Sequence, residues 1–185
     1  MDNYILSYNG IMFADPVKNL RALGLRENDI VADLGAGTGF YSVLAGAMVP
    51  DGKVYAIEVI KDFLATVKNK AREARLNNIE IIWGNVEKLG GTKIGDGIVD
   101  AVIASNILFQ VEDKSQFIKE AKRILKQGGR ILLIDWSDGS SLLGPNLATV
   151  VPKDKAREIF EQKGFVWQRD IDAGEHHYGM ILKKS

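Results

Sequence analysis

Short apolar runs alternate along the chain with segments in which apolar residues recur every three or four positions. The apolar runs predict strands at 30–34, 53–58, 79–83, 98–104 and 130–136. The helical spacing predicts helices at 40–48, about 61–76, about 114–127 and from Pro152 to near Gly164. Two further β-like runs, 165–171 and 176–183, lie on either side of Ala173-Gly174 and predict an antiparallel pair.

This alternation of strands and helices predicts an α/β fold. Right-handed βαβ units give a doubly wound, mostly parallel sheet of about seven strands, with helices on both faces and the antiparallel strand pair at the C-terminus. Residues 84–97, which contain five glycines, are predicted to be mostly loop. Ligands of such sheets bind beyond the carboxyl ends of the strands, so candidate functional residues are sought there.

A glycine-rich turn between the first strand and the following helix is the strongest chemical signal. It runs Asp33-Leu34-Gly35-Ala36-Gly37-Thr38-Gly39-Phe40. Glycines there allow positive φ and close approach of a ligand to the backbone, and the helix that follows offers free N–H groups. Dinucleotide-binding turns follow the pattern G-x-G-x-x-G, whereas here Phe40 stands where the last glycine would fall.

Polar residues also stand where the next three strands end. Glu58, followed by Val59, ends the second strand 23 positions after Gly35, and a carboxylate there can accept hydrogen bonds from both hydroxyls of a ribose. Gly84-Asn85-Val86 follows the third strand, and Ser105-Asn106 ends the fourth. Each also has a structural interpretation: a solvated charge, an asparagine turn and a polar strand end.

Two segments carry a resemblance to a known family. The D-x-G-x-G-x-G turn at 33–39 and the succession 100–110 followed by 123–132 resemble class I (Rossmann-like) S-adenosylmethionine-dependent methyltransferases, in particular the group similar to those of ubiquinone and menaquinone biosynthesis. The resemblance runs from about Ile30 to Asp135. It implies S-adenosyl-L-methionine as the cofactor, S-adenosyl-L-homocysteine as the product and a small molecule as the methyl acceptor.

The same resemblance implies a set of cofactor-binding residues at the carboxyl ends of the strands. They are Asp33, Gly35, Ala36, Gly37, Thr38, Gly39, Phe40, Glu58, Val59, Gly84, Asn85, Val86, Ser105 and Asn106. Asn85 departs from the family, which often has an acidic residue there to accept from the adenine amino group. An amide oxygen still accepts a hydrogen bond, but it carries no charge.

We expect a single domain over 1–185, divided by role into three parts. Residues 1–29 form an N-terminal helical cap segment, 30–135 the cofactor-binding core, and 136–185 the substrate-side loop, helix and C-terminal strands. His176 and His177 are the two histidines of the chain and are candidates for a general base. Because neighbouring strand residues point to opposite faces, we expect at most one of them to face a given site.

Composition narrows the function classes. The chain has 24 Lys plus Arg and 24 Asp plus Glu, and this balance disfavours a nucleic-acid or anionic-membrane partner. The absence of cysteine excludes disulfides and thiolate metal sites, and we predict no metal. With no apolar run long enough to span a membrane and no signal-peptide pattern, we expect a cytoplasmic protein. Two alternatives stay open: an NAD-dependent oxidoreductase and a non-enzymatic S-adenosylmethionine-binding module.

Overall fold

The computed structural model describes residues 15–138 and 145–185. Five helices and seven strands follow one another in these ranges. In chain order they are α1 (Pro16–Leu23), β1 (Ile30–Leu34), α2 (Phe40–Met48), β2 (Lys53–Glu58), α3 (Lys61–Glu73), β3 (Ile79–Trp83), β4 (Val99–Ser105), α4 (Lys114–Ile124), β5 (Leu125–Trp136), α5 (Lys153–Glu161), β6 (Phe165–Ile171) and β7 (His177–Lys184). A single 3₁₀ turn at Leu147–Thr149 precedes α5.

The strands form one sheet in the order β3-β2-β1-β4-β5-β7-β6. The first five of these pair in parallel, and β7 lies antiparallel between β5 and β6. The predicted doubly wound fold is therefore confirmed. The strand order reverses between β1 and β4, and the crevice beyond the carboxyl ends of those two strands is where such sheets bind ligands.

Helices cover both faces of this sheet. On one face, Phe117 of α4 and Phe160 of α5 pack with the inward side chains of β4 and β5. On the other face, Leu20 of α1 and Ala45 of α2 pack with Val31 and its neighbours. Strands buried on both faces explain the nearly continuous apolar runs in the sequence.

The boundary between α4 and β5 differs from the prediction. The helix ends at Ile124 rather than near 127, and β5 begins at Leu125 rather than at 130. The N–H groups of Gly97 and Ile98 donate to the carbonyls of Arg123 and Ile124, at 2.9 and 2.8 Å. The last helical carbonyls thus find their partners in a neighbouring segment, and Leu125 turns into an extended conformation that pairs with β4.

Two other helix ends also shift by a few residues. Helix α3 ends at Glu73 rather than 76, because Arg75 adopts a left-handed φ of 57°. Pro152 precedes α5 instead of forming its first residue. Residues 84–97 contain no helix or strand, as predicted. Residues 1–14 of the expected cap segment and 139–144 of the expected substrate-side loop lie outside the described residues.

Candidate functional site

Three glycines shape the turn after β1, and the middle one differs from its neighbours. All three have positive φ: 77° at Gly35, 52° at Gly37 and 81° at Gly39. A Cβ at Gly35 would collide with Ile107, and one at Gly39 would lie 2.9 Å from Val67. A Cβ at Gly37 would meet nothing within 4 Å. The outer glycines are therefore required by packing, whereas the middle one borders open space that a ligand can enter.

The Glu58 side chain links the end of β2 to this turn. It is 8% exposed, and its Oε2 accepts a hydrogen bond from the Gly37 N–H at 3.0 Å. Its Oε1 accepts from the N–H groups of Val59 and Ile60 at 2.7 and 2.9 Å. A carboxylate offers about four acceptor positions, so one stays available to a ligand hydroxyl.

Asp33 is a buried carboxylate beneath the turn. Its Oδ2 accepts a 2.6 Å hydrogen bond from the Ser42 hydroxyl. Burial raises the pKa of Asp33 to about 6 against the opposing effect of that hydrogen bond, and the negative charge of Glu58 raises it further. No lysine or arginine in the described ranges forms a salt bridge with Asp33. A cationic ligand group would be stabilised beside it.

The end of β4 has an unusual backbone and an unsatisfied acceptor. Asn106 has a left-handed φ of 53°, and its N–H donates to the Ile134 carbonyl at 2.9 Å. The Asn106 Oδ1 is buried and has no hydrogen-bond partner among residues 15–138 and 145–185. Buried polar atoms are almost always paired, so this unpaired oxygen indicates that a ligand donates a hydrogen bond to it.

Asp135 holds the loop after β4 and was not predicted as a site residue. This fully buried carboxylate, at the end of β5, accepts hydrogen bonds from the N–H groups of Leu108 (2.6 Å) and Trp136 (2.8 Å). Burial raises its pKa to about 6 in spite of these bonds. The available signal was an acidic residue at the carboxyl end of an otherwise apolar strand. Asp135 fixes the segment that presents Asn106.

The residues after β3 lie on the side of β2 that faces away from the crevice. The Asn85 Oδ1 accepts from the Glu87 N–H at 2.8 Å, which is the turn that its structural interpretation expected. Val86 is buried, and Gly84 packs so closely that a Cβ there would lie 2.5 Å from the Gly91 carbonyl oxygen. The loop therefore presents a compact, mostly apolar edge beside Val59, which is 56% exposed.

A buried ionic network fixes this loop to α4, and sequence reasoning missed it. The Glu120 carboxylate accepts from the N–H groups of Gly90 and Thr92, from the Thr92 hydroxyl and from the Arg123 guanidinium, at 2.6–3.1 Å. Burial alone would raise the pKa of Glu120, but Arg123, Thr92 and the backbone donors lower it to about 2. The loop donors, Gly90 and Thr92, are separated from Glu120 by about thirty residues, so no local pattern reveals their contacts with it.

The two candidate histidines have different surroundings at the same edge of the sheet. His177 is 8% exposed and pairs with Trp136, whose ring centroid lies 4.3 Å from its own. Burial lowers the pKa of His177. His176 is about one-third exposed, with its Nδ1 3.2 Å from an oxygen of Asp138. Of the two, His176 has the accessible ring and an acidic partner.

Comparison with known proteins places this geometry in a family. The family model of a methyltransferase domain matches residues 25–181. The chain belongs to this methyltransferase family. The expected class I, Rossmann-like assignment is confirmed by that match and by the sheet order.

A solved structure and a curated sequence show how far the similarity of this chain to known proteins extends. The crystal structure of a SAM-dependent methyltransferase from Aquifex aeolicus shares 28% identity, covers 94% of this chain and 91% of its own, and superposes with a TM-score of 0.85. A demethylmenaquinone methyltransferase from Bacillus mycoides is 31% identical over 121 residues, which are 65% of this chain and 50% of that protein. The chain spans about half the length of the curated relatives it matches.

Two kinds of feature, a metal site and a membrane span, are not found in the described part of the chain. Residues 15–138 and 145–185 contain no group of three or more His, Asp or Glu side chains placed to hold a metal ion. Within the same ranges, each helix is too short or too polar to cross a bilayer. The Asp33 carboxylate, which has no cationic partner in these ranges, and the unpaired Asn106 Oδ1 lie near the carboxyl ends of β1 and β4.

Proposed function

We propose that this methyltransferase transfers the methyl group of S-adenosyl-L-methionine to a small-molecule acceptor at the carboxyl edge of the sheet. The observation that carries the proposal is the open space at Gly37, where a Cβ would meet nothing, between the buried carboxylates of Asp33 and Glu58. A ribose needs hydrogen-bond acceptors and a methionine ammonium needs a negative charge. Glu58 at the end of β2 supplies the acceptors, and Asp33 at the end of β1 supplies the charge.

Each part of the cofactor finds a matching group. Glu58 accepts a hydrogen bond from a ribose hydroxyl, Asp33 stabilises the ammonium, and the Gly35–Gly39 turn accommodates the methionine end against its backbone. The adenine lies at the apolar edge formed by Val59 and 84–86. The remaining proposed contacts are Ala36, Thr38, Phe40, Ser105 and Asn106, of which the last two lie beside the sulfonium.

When bound, S-adenosylmethionine supplies an already activated methyl group. The chain's own part is to bind, align and exclude water. The Asn106 N–H donates to the Ile134 carbonyl, and Asp135 fixes the loop that follows, so the backbone that carries the Asn106 side chain is held at the end of β4. We expect the acceptor above β4, β5 and β7, where these side chains and the histidines share one edge.

Of the two candidate bases, the geometry favours His176. Asp138 lies at Nδ1, and a carboxylate there favours the tautomer whose proton is on Nδ1, which leaves Nε2 as the basic nitrogen. His177 is buried against Trp136, and burial lowers its pKa, which makes it the weaker base. A base of this kind suits an acceptor that loses a proton, such as a hydroxyl, an amine or an acidic carbon.

Calorimetric titration with S-adenosylhomocysteine and with NAD tests the cofactor. We expect binding of the first at micromolar concentrations and none of the second, since Phe40 occupies the position where a dinucleotide turn needs its last glycine. NAD binding at similar concentration would contradict the proposal.

Transfer of labelled methyl groups to an acceptor panel then separates the enzyme from a non-enzymatic binding module. Demethylmenaquinone, which the similar bacterial enzymes are named for, is the first compound to test. Cofactor binding without turnover across hydroxyl, amine and quinol acceptors would favour the module. A cytoplasmic location, a single-domain organisation and the lack of a nucleic-acid partner remain predictions.

A further inference from the structure

An asparagine on α1 is buried in an otherwise apolar helix face. Asn19 is 1% exposed, beside the fully buried Leu20 and Leu23. Its Nδ2 donates to the Tyr41 hydroxyl at 3.0 Å. Its Oδ1 has no hydrogen-bond partner among residues 15–138 and 145–185. A buried oxygen without a donor destabilises the protein, so its presence requires an explanation beyond packing.

Tyr41 places this asparagine close to the proposed cofactor site. Its hydroxyl interacts with the side chains of both Asn19 and Ser105, the last residue of β4. Burial raises the pKa of Tyr41, and the negative charges of Asp33 and Asp15 raise it further, so the phenol stays un-ionised. Asn19, Tyr41 and Ser105 therefore connect α1 to the crevice between β1 and β4.

The polar groups around this connection are negative charges or hydrogen-bond acceptors. Asp33 and Asp15 are negative, and the side-chain oxygens of Asn19 and Asn106 are buried acceptors without donors. In the described part of the chain, no lysine or arginine side chain hydrogen-bonds to Asn19, Tyr41 or Asp33. A cation with several N–H donors would satisfy this set of acceptors, and a primary ammonium supplies three such donors.

We propose that Asn19 is part of the ammonium-binding site for the methionine end of the cofactor, with its Oδ1 accepting a hydrogen bond from the α-amino group beside Asp33. This inference rests on the proposed function, since it assumes that S-adenosylmethionine binds at this edge. It adds a residue from α1, outside the segment that carries the family resemblance. Through Tyr41, the same asparagine couples the position of α1 to the end of β4.

Three ligands that differ only at the methionine end test the inference by calorimetry on the full chain. They are S-adenosylhomocysteine, its desamino analogue, which lacks only the amino group, and 5′-methylthioadenosine, which lacks the whole amino-acid end. The readout is the ratio of the dissociation constants for the desamino analogue and S-adenosylhomocysteine. In Asn19→Leu we expect this ratio to fall by about tenfold, while affinity for methylthioadenosine changes less than about twofold.

Two further variants make the result decisive. Asn69→Leu, the same substitution at an exposed position of α3, should leave the ratio at its parental value. Asn19→Asp keeps an acceptor of equal size and adds negative charge, so the ratio of dissociation constants should stay equal or rise. This variant also tests the inference if Asn19→Leu does not fold.

An equal loss of affinity for all three ligands in Asn19→Leu, or an unchanged ratio, would overturn the inference while leaving the proposed function intact. A ratio that falls in Asn19→Asp would overturn it as well. If the parent protein binds none of the three ligands, the proposed function and this inference both fail.

Discussion

At the scale of single residues, the surroundings of a carboxylate decide what it can do. Glu120 and Asp33 are both buried, but Glu120 has a guanidinium, two backbone donors and a hydroxyl donor, and its pKa falls to about 2. Asp33 has hydrogen bonds from Ser42 and a negative neighbour, and its pKa rises to about 6 because of burial. The first carboxylate is satisfied within the protein. The second gains most from a cation, which is what a ligand-binding group requires.

The open space at Gly37 makes a prediction with a matched control. Gly37→Val and Gly97→Val both place a β-branched residue at positive φ, 52° and 62°, in a position where a Cβ meets nothing. Both should lose about 1–2 kcal/mol or more of stability from backbone strain. Only Gly37→Val should also lower S-adenosylhomocysteine affinity, by about 100-fold or more (about 2.7 kcal/mol) in calorimetry. Equal affinities in the two variants would show that the turn does not contact the ligand.

Glu58 predicts an unusual result for a conservative change. Both of its oxygens accept from backbone N–H groups, so Glu58→Gln places an amide NH₂ against a donor in either orientation. We expect cofactor affinity to fall by about 1.5–3 kcal/mol, nearly as much as in Glu58→Ala. Glu80→Gln, at a half-exposed carboxylate on the neighbouring strand, should have no effect. A Glu58→Gln protein that binds like the parent would remove Glu58 from the site.

Asp33 predicts a pH dependence of opposite sign for stability and for binding. A pKa raised to about 6 means that its contribution to stability is full below pH 3.8 and is lost as pH rises through 6. A bound ammonium favours the ionised form, so S-adenosylhomocysteine should bind more tightly as pH rises from 5 to 7.5. In Asp33→Asn, calorimetry across this range should show a weaker affinity with a much flatter profile. A profile unchanged by the substitution would assign the dependence to another group.

At the scale of elements, the sequence predicts regular structure well and long-range polar contacts poorly. The apolar runs place β1, β2 and β3 at the observed residues, because strands buried on both faces leave a local pattern. The end of α4 was wrong, since its carbonyls bind a segment more than twenty residues away. Asn19 and Glu120 were missed for the same reason. The glycine turn was visible because its chemistry is confined to seven consecutive residues.

The loop at 84–97 shows how one element depends on another. Glu120→Ala would leave the N–H groups of Gly90 and Thr92 unpaired and Arg123 with only the exposed carboxylate of Asp96, at a cost of about 3–5 kcal/mol in urea unfolding. Because the loop also forms the proposed adenine edge, affinity for methylthioadenosine should fall as well.

Glu161→Ala is the control for this change. Glu161 forms an exposed pair with Arg157 on α5, so its loss should cost no more than about 0.5 kcal/mol and leave binding unchanged. A Glu120→Ala protein as stable as this control would mean that the loop is fixed by other contacts.

At the scale of the whole molecule, the two ends of the sheet differ in how their charges are satisfied. A cavity of about 440 Å³ at the amino ends of the strands is lined by Arg130, Lys126, Asp29 and Asp100, among others. These charges pair with one another, Arg130 with Asp29 at 2.8 Å and Lys126 with Asp100 at 2.7 Å. At the carboxyl ends, Asp33 has no such partner in the described residues. The paired charges around the cavity at the amino ends need no ligand, whereas the uncompensated charge of Asp33 favours a ligand at the carboxyl ends.

The difference between the two ends of the sheet predicts where a ligand binds. Titration of ¹⁵N-labelled protein with S-adenosylhomocysteine should shift amide signals at the carboxyl ends, in 35–39, 58–60, 84–86 and 105–108, and leave those of 24–29 and 126–130 in place. NAD at the same concentration should shift neither set, since its pyrophosphate would meet the negative charge of Asp33 and the Phe40 side chain. We expect the shifts at one edge of the sheet because parallel strands bring their carboxyl ends, and the loops that follow them, to the same edge. Shifts concentrated around the cavity at the amino ends would place the ligand on the wrong side of the sheet and contradict the site.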